Sequence, residues 1–255
     1  MLAASSHKHI ASAGRLRSGR ALGPQGTTEM VPRDRVWLFD LDDTLHNASH
    51  RAFRELNASM TAYIETHLGL TNEQAVALRH DYWRRYGATL TGLQRHYGIK
   101  PAHFLHETHR LPGLDEHLHG HAHDLAALRR LPGRKFLMTN APRAYAERVL
   151  AAIGLADCFE GLICIEDMAC FGQSRPKPDA RMFRIVLARF KLRPERCVLV
   201  EDTLIHQKTA RGLGLKTVWM QRWLRRAGAA RLQRRPVYVS LRVPSLAALA
   251  RNPQF

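Results

Sequence analysis

Short, almost wholly apolar runs recur along the chain, separated by segments in which apolar residues return every three or four positions. An apolar run of strand length indicates a strand buried on both faces of a parallel sheet. Spacings of three and four indicate helices with one buried face. The runs that predict core strands cover residues 34–45, 135–139, 161–165, 197–201 and 216–220.

Helical patterns lie between these predicted strands, at residues 143–153, 179–190 and 205–213. Strands that alternate with helices at this spacing predict an α/β fold built on a parallel sheet. Residues 236–250 are expected to add an edge strand and a final helix.

A separate helical region follows the first predicted strand. Residues 47–130 show mostly amphipathic helical patterns, as in residues 73–79 (Glu-Gln-Ala-Val-Ala-Leu-Arg). We expect them to form a small inserted domain, while residues 34–46 and 131–255 together form the core. Residues 1–33 are basic and contain no continuous apolar stretch, and they are predicted to be a disordered extension without a secretory signal.

Length and composition agree with this organisation. With 255 residues, 45% of them hydrophobic, the chain can bury one sizeable core and carry a smaller second domain. No apolar run reaches the ~18 residues of a membrane helix, so no membrane association is expected. Four cysteines lack C-x-x-C spacing, which favours reduced thiols and a cytoplasmic location: Cys158, Cys164, Cys170 and Cys197.

The formal net charge of +17 raises the question of nucleic-acid binding. Trp223 is the only aromatic residue among the C-terminal arginines, whereas single-stranded nucleic acid is bound on stacked aromatic rings. We interpret the arginines as a solvated face whose field attracts an anionic phosphate ester, and nucleic acid is an unlikely partner. Much of the excess charge lies in residues 1–33 and in Arg222, Arg225, Arg226, Arg231, Arg234 and Arg235.

Four histidines alternate with other residues in the segment His117-Leu-His119-Gly-His121-Ala-His123. A strand would place all four on one side, but the sequence that follows predicts a helix, around which they would spread. An exposed histidine patch is therefore expected rather than a structural zinc site.

Three carboxylates follow the first predicted strand: Asp40, Asp42 and Asp43. Open α/β sheets bind ligands just beyond the carboxyl ends of their strands. Crowded carboxylates repel one another, and a hard cation such as Mg²⁺ would offset that repulsion.

Four segments stand in order along the chain: residues 40–44 (Asp-Leu-Asp-Asp-Thr), 136–140 (Phe-Leu-Met-Thr-Asn), 175–179 (Arg-Pro-Lys-Pro-Asp) and 198–203 (Val-Leu-Val-Glu-Asp-Thr). The first is similar to the D-x-D-x-T signature of the haloacid dehalogenase (HAD) superfamily, and the other three resemble its second, third and fourth motifs. The members of this superfamily are mostly phosphatases and phosphomutases with a Rossmann-like core. The resemblance implies that the insertion at 47–130 is the helical cap that closes over the site.

The resemblance also implies catalytic roles. Asp40 would be the nucleophile that forms an aspartyl-phosphate. Asp42 would protonate the leaving oxygen and then take a proton from the hydrolytic water. Thr139, with the backbone amide of Asn140, would donate hydrogen bonds to the phosphate. Lys177 would neutralise charge on the phosphate and the nucleophile.

For the metal, the resemblance implies that Mg²⁺ is bound by the carboxylates of Asp40 and Asp202 and by the backbone carbonyl of Asp42. Glu201 stands beside Asp202, and the sequence does not decide which acid contacts the metal, although Asp202 is favoured. His206 occupies a position where related sequences often have Asn or Asp, so a changed environment for the metal-bound waters is expected.

One segment of the cap bears on the substrate. Residues 82–93 resemble a Tyr-Gly-x-Thr-Leu-x-Gly-Leu segment of the superfamily's pyrimidine 5′-nucleotidases, and residues 40–46 are also similar to that subgroup. The resemblance implies that Tyr86 and Thr89 contact the substrate, where aromatic and hydroxyl groups would suit a nucleobase.

These observations predict a Mg²⁺-dependent phosphatase that acts on UMP or CMP through an aspartyl-phosphate. Alternatives within the superfamily are a sugar-phosphate or phosphoglycolate phosphatase and a phosphomutase. A dehalogenase is disfavoured, because those members lack the equivalent of Asp42. The alternative of another class is a catalytically silent binding module, for which His206 is the only indication. The oligomeric state is left open by the sequence.

Overall fold

Six parallel strands form the sheet at the centre of the α/β core in the computed structural model, which describes residues 34–118, 120–170, 173–224 and 234–255. The strands are β1 (Val36–Phe39), β2 (Arg134–Met138), β3 (Gly161–Ile163), β6 (Cys197–Glu201), β7 (Lys216–Met220) and β8 (Leu241–Val243). Two further strands, β4 (Ala169–Cys170) and β5 (Gln173–Ser174), form a small antiparallel pair. Each predicted core strand is present, and so is the edge strand expected after residue 236.

The order across the sheet is β3-β2-β1-β6-β7-β8. Strands β2 and β3 lie on one side of β1, and β6, β7 and β8 lie on its other side. In doubly wound sheets, ligands bind beyond the carboxyl ends of the strands at the point where the order reverses. Here that point lies between β1 and β6, so the fold directs a ligand to the residues that follow Phe39 and Val200.

Nine described helices surround and extend the sheet. They are α1 (Ala52–Leu68), α2 (Asn72–Tyr86), α3 (Thr89–Tyr97), α4 (Pro101–Thr108), α5 (Ala122–Arg130), α6 (Arg143–Ala152), α7 (Ala180–Arg189), α8 (Leu204–Gly212) and α9 (Leu246–Ala250). Helices α6, α7 and α8 correspond to the predicted helical patterns, and α9 is the expected final helix. None of the described helices is both long and apolar enough to cross a membrane.

Strand β1 is buried at every position because both faces of the sheet are covered. Trp37 and Phe39 pack in one apolar cluster, together with residues of α5, α6 and α9. Val36 and Leu38 point to the opposite face and pack with residues of α7 and α8. A strand buried on both faces reads as a continuous apolar run, which accounts for the sequence pattern. The Rossmann-like α/β fold is thereby confirmed.

Helices α1 to α4, which we call the cap, are inserted after β1. They share an apolar cluster that includes Ile64, Leu93 and Phe104 and that Ile165 of the core joins. Helix α5 also lies within the range 47–130 predicted for the cap, but it packs on α9 of the core. Leu128 belongs to a core cluster, and Asp124 accepts a hydrogen bond from the Ala247 amide. Its amphipathic pattern shows that one face is buried, but not against which surface.

Two glycines of the segment that resembles the nucleotidases have structural roles. Gly87 ends α2 with a positive φ of 76°, a conformation that glycine adopts without strain. Gly92 in α3 lies against Tyr82 of α2, and a Cβ there would stand 2.7 Å from the Tyr82 Cβ. The segment therefore sets the packing of α2 against α3.

Some sequence-based expectations fall outside the described residues. These are the disorder of residues 1–33, the environment of His119, and the surroundings of Arg225, Arg226 and Arg231. Cys158, Cys164 and Cys197 are free thiols, and the latter two are buried.

We predict that Gly92→Ala destabilises the protein by about 1–3 kcal/mol, because the added methyl group must displace the ring of Tyr82. This loss of stability is opposite in sign to the gain of up to about 1 kcal/mol that replacing glycine by alanine normally brings to a helix. Thermal unfolding measures the difference. Gly212→Ala in α8 is the matched control, since nothing lies within 4 Å of its added Cβ. Equal melting temperatures for Gly92→Ala and the wild type would contradict the close packing of α2 and α3.

Candidate active site

Acidic residues gather where the strand order reverses, at the ends of β1 and β6. Asp40 follows β1 directly, and its amide donates to the Val200 carbonyl at 3.0 Å, which continues the pairing of the two strands. Glu201 is the last residue of β6, and Asp202 follows it. Because adjacent parallel strands end at the same edge, these side chains meet.

Lys177 lies between two of these carboxylates. Its Nζ donates to Asp40 Oδ1 and to Glu201 Oε2, both at 2.7 Å, and the side chain is 1% exposed. Burial alone would lower the pKa of Lys177, but the attraction of Asp40 and Glu201 outweighs it and raises the pKa. Burial would likewise raise the pKa of Glu201, and the charge of Lys177 reverses this to a lowered pKa. Lys177 is therefore a cation and Glu201 an anion in the folded protein.

The other two carboxyl groups, those of Asp40 and Asp202, lie beside the negative charge of Glu201. Burial, and then the charge of Glu201, raises the pKa of Asp40 to about 7. The same two causes raise the pKa of Asp202 well above its ordinary value. Without a further cation, both acids hold a proton to higher pH than an ordinary carboxyl group does.

A divalent cation fits this cluster. One oxygen from each of Asp40, Glu201 and Asp202 lies within 4.8 Å of the others, and this is the single such group of metal-ligating side chains across the described residues. Carboxylate oxygens suit Mg²⁺, and a bound cation would oppose the rise in the two pKa values. The sequence favoured Asp202 over Glu201 as the acid near the metal, and the structure places both in the cluster.

His206, the unusual residue in the fourth motif, contacts the same group. Its Nδ1 lies 3.1 Å from Glu201 Oε2. The imidazole and Lys177 therefore approach one carboxylate oxygen from different elements. His206 thus acts on the acidic cluster through Glu201.

Asp42 has a different environment. Its Oδ1 accepts a hydrogen bond from the Tyr145 hydroxyl at 2.9 Å and lies 2.8 Å from His46 Nε2. The His46 side chain is fully buried, and Tyr145 projects from α6. When His46 carries its proton on Nε2, both neighbours donate to the same oxygen, which leaves Oδ2 for other chemistry.

The loop that carries Asp40 and Asp42 is fixed by two local contacts. Asp43 has a positive φ of 54°, and its carboxylate accepts hydrogen bonds from the amide and hydroxyl of Ser49. The Thr44 hydroxyl donates to Asp40 Oδ2 at 3.3 Å. The third carboxylate of the motif therefore holds the turn.

The second motif reaches the same site from β2. The Thr139 hydroxyl accepts a hydrogen bond from the Ala141 amide at 3.0 Å, which uses only its acceptor capacity. The Asn140 side chain binds the backbone of Lys177 at both ends, donating to its carbonyl at 3.0 Å and accepting from its amide at 2.8 Å. Asn140 therefore positions Lys177 through its side chain, and contact of its backbone amide with phosphate remains a prediction.

A cavity of about 520 Å³ opens over these groups and has α1 to α4 on its other side. Its core side presents Asp40, Asp42, Thr139, Asn140, Lys177, Glu201, Asp202 and His206. Its cap side is mainly apolar, with Phe53, Leu56, Met60, Leu90, Phe104 and Leu105, and it also carries Asn57, Arg79, His80, Trp83 and Thr89. All the core residues predicted from sequence thus face one cavity.

The two cap residues predicted to contact substrate differ. Thr89 lines the cavity, although it is buried and its hydroxyl donates to the Arg79 carbonyl at 3.2 Å. Tyr86 is not among the described residues that line the cavity. Its hydroxyl lies 2.7 Å from His96 Nε2, and its ring packs near Tyr82. Tyr86 belongs to an aromatic cluster with Tyr82 and His96 between α2 and α3.

Sequence reasoning missed several residues of the site. Tyr145 lies about a hundred positions from Asp42 in an ordinary amphipathic helix, so nothing marked it. His109 lines the cavity, its ring stands edge-on to Tyr145 at 5.9 Å, and burial lowers its pKa to about 4. His46 could have been found, since it stands four positions after Asp42 within the first motif.

Comparison with known proteins agrees with this geometry. Residues 35–214 match the haloacid dehalogenase-like hydrolase family. Phosphate metabolism protein 8 of Saccharomyces cerevisiae is 26% identical over 164 residues, which cover 60% of this chain and 50% of that protein. This chain thus spans about half the length of that curated relative.

Solved structures share the fold. A HAD phosphatase from Thermococcus onnurineus superposes with a TM-score of 0.57 at 19% identity, over 84% of this chain and 95% of that chain. CbbY from Rhodobacter sphaeroides, solved in complex with phosphate, gives a TM-score of 0.59 at 19% identity, over 84% and 96% of the two chains.

We predict that Mg²⁺ raises the melting temperature more at pH 8 than at pH 5. The pKa of Asp40 rises on folding from 3.8 to about 7, so the metal-free folded state holds a proton between these values that the unfolded chain has lost. Its stability therefore falls as the pH rises through this window. Mg²⁺ binding needs the ionised carboxylate, and at about 100 times its Kd the metal adds about 2.7 kcal/mol, a rise of roughly 5–10 °C.

Differential scanning fluorimetry with and without Mg²⁺ measures this shift. Asp202→Asn should remove most of it. Asp157→Asn should retain it, since that carboxylate is 80% exposed and far from the cluster in the fold. An equal shift for wild type and Asp202→Asn would contradict the metal site.

Proposed function

Because the chain belongs to the haloacid dehalogenase-like hydrolase family, we propose that it hydrolyses small phosphomonoesters through an aspartyl-phosphate on Asp40. One observation carries this proposal: Asp40 is buried against Lys177 and the acids of β6, at the floor of a cavity that Asp42 also lines. A nucleophile, a proton donor and a cation are thus presented to one ligand. Phosphoryl transfer depends mainly on such positioning and charge stabilisation.

In the first step, a carboxylate oxygen of Asp40 bonds to phosphorus while the bond from phosphorus to the ester oxygen breaks. Asp42 gives its proton to the departing oxygen, and Oδ2 is the oxygen available for this transfer. In the second step, Asp42 removes a proton from water as the water attacks the phosphoryl group. Inorganic phosphate leaves, and the Asp40 carboxylate is regenerated.

The phosphate is held by groups at the same floor. An ammonium has three donors, and Lys177 uses two of them on Asp40 and Glu201. Its third donor, the hydroxyl proton of Thr139 and the backbone amide of Asn140 are the donors that we propose for the phosphate oxygens. Asp40, Glu201 and Asp202 would hold Mg²⁺, which when bound supplies positive charge to the phosphoryl oxygens.

The cap supplies the rest of the enclosure. Its apolar side chains exclude water from the reacting groups, which strengthens the electrostatic interactions there. His109 adds a neutral imidazole beside Tyr145, so the neighbourhood of Asp42 gains no charge from it.

For the substrate, we propose a pyrimidine nucleoside 5′-monophosphate, UMP or CMP. The segment that resembles the nucleotidases supports this, because Gly87, Ala88, Thr89 and Leu90 form part of the cavity wall. A volume of about 520 Å³ is in the usual range for small-molecule sites. The name of the yeast relative refers to phosphate metabolism, which is compatible with this class of substrate. The cytoplasmic location expected from the thiols remains a prediction.

We predict Mg²⁺-dependent phosphate release from UMP and CMP in excess of that from AMP, GMP, phosphoglycolate and hexose phosphates. Asp40→Asn should lower the rate by roughly 10³-fold or more, since an amide cannot act as the nucleophile. Asp157→Asn serves as the control for general effects of losing a carboxylate. Release of phosphate measures the hydrolysis, and product analysis separates a phosphatase from a phosphomutase.

Activity restricted to sugar phosphates or phosphoglycolate would retain the mechanism and exclude the nucleotide. No turnover of any substrate would favour the catalytically silent binding module.

We also predict that Tyr145→Phe weakens the proton transfer by Asp42. The variant removes one hydrogen bond that orients the carboxyl group, so kcat/KM for an alkyl phosphate should fall about tenfold. For p-nitrophenyl phosphate, whose leaving group needs little protonation, the fall should be less than about threefold. Steady-state kinetics with both esters gives the ratio.

Tyr63→Phe is the matched control, since it removes a buried tyrosine hydroxyl that contacts His103 in the cap. Equal losses for the two esters in Tyr145→Phe would show that Tyr145 acts only on the overall structure of the site.

A further inference from the structure

A small polar cluster interrupts the apolar cap wall of the cavity. Arg79 Nη1 donates to Asn57 Oδ1 at 2.6 Å, which joins α2 to α1. Arg79 Nη2 lies 3.3 Å from His80 Nε2. Arg79, Asn57 and His80 all line the cavity above the acidic floor. No sequence motif pointed to them.

Arg79 is unusual among the arginines of α2. Arg84 and Arg85 are exposed and both pair with Asp81. Arg79 is partly buried, and no carboxylate of the described residues lies within ion-pair distance of it. Its Nε has no hydrogen-bond partner in the described part of the chain. Burial lowers the pKa of Arg79, and no neighbouring acid raises it again.

A partly buried guanidinium with only neutral partners is under-satisfied, because five donors face two neutral acceptors. Additional acceptors would stabilise it, and the cavity is the place from which they can come. Acceptor atoms of a ligand in the cavity would satisfy it.

The surroundings of Arg79 describe the shape of that end. Trp83 stands one helical turn after Arg79 on the same face of α2, lines the cavity, and is 65% exposed. Leu56, Met60 and Leu90 add apolar surface nearby. A flat ring with apolar faces and a polar edge fits such a wall, since an indole offers a stacking surface and a guanidinium offers donors.

We propose that Arg79 determines base specificity by donating hydrogen bonds to the carbonyl oxygen at position 2 of a pyrimidine, with Trp83 against the face of the ring. This inference rests on the proposed function and specifies its substrate contacts. Uracil and cytosine share this carbonyl, whereas adenine has no carbonyl group. A guanidinium only donates, so it does not select for exocyclic amines.

The test compares a nucleotide with the same phosphate and sugar lacking the base. kcat/KM is measured for UMP, CMP, AMP, ribose 5-phosphate and phosphoglycolate, with Mg²⁺. Arg79→Met should lower kcat/KM for UMP and CMP by about 10- to 100-fold, the effect of removing hydrogen bonds from a charged group. Its kcat/KM for ribose 5-phosphate should change by less than about twofold, and this retained activity also shows that the variant is folded. For UMP and CMP, the kcat/KM of Arg79→Lys should lie between that of the wild type and that of Arg79→Met, since lysine keeps the charge but not the planar fork of donors.

Arg85→Met is the control, since it removes a guanidinium from the same helix at an exposed position. It should leave kcat/KM unchanged for every substrate. If Arg79→Met lowers kcat/KM equally for UMP, CMP and ribose 5-phosphate, Arg79 does not contact the base, and the proposal is wrong.

A loss confined to phosphoglycolate would assign Arg79 to a carboxylate and overturn the base contact. A wild-type kcat/KM for ribose 5-phosphate equal to that for UMP would disprove the nucleotidase itself. A preference for UMP and CMP that survives Arg79→Met would refute only the role of Arg79.

Discussion

One buried ammonium, that of Lys177, makes the active site possible. Two strands that are adjacent in the sheet but far apart in sequence end in carboxylates, and Lys177 bonds to one from each strand at 2.7 Å. Removing either partner of a buried pair leaves an uncompensated charge, which typically costs about 3–5 kcal/mol. The cation is itself held by Asn140, which binds its backbone from the end of β2. Three strands therefore converge on a single charge.

The sheet and the core site could be predicted from sequence because both depend on short segments of the chain. A strand buried on both faces needs an apolar run, and the residues after it lie at a known edge of the sheet. Asp40, Asp42, Thr139, Lys177 and Asp202 follow such runs or motifs, and all of them face one cavity. The family was identified from the order of the same segments and is confirmed by its match to residues 35–214.

What the sequence could not give depends on contacts between distant elements. Tyr145 reaches Asp42 from the buried side of α6, where a tyrosine looks like any packing residue. Helix α5 has the same kind of pattern as the cap helices, yet it covers the core. Tyr86 and Arg79 lie on one helix, and only the position of that helix over the core decides which of them faces the ligand. Gly87 ends α2 and Gly92 packs against Tyr82, so a segment that resembles a substrate motif also has an architectural role.

The central position of β1 has a consequence for how the chain is assembled during synthesis. Val36 pairs with Arg134 on one side and with Cys197 on the other, so the first core strand to leave the ribosome waits for about 160 residues before both edges are covered. Helices α1 to α4 make mostly local contacts with one another, so we expect them to associate much earlier. We expect Asp40 to remain hydrated until β6 arrives and brings Glu201, because only then is its second neighbouring strand in place. Lys177 precedes Glu201 in the chain, so the ammonium is already synthesised when the carboxylates become buried.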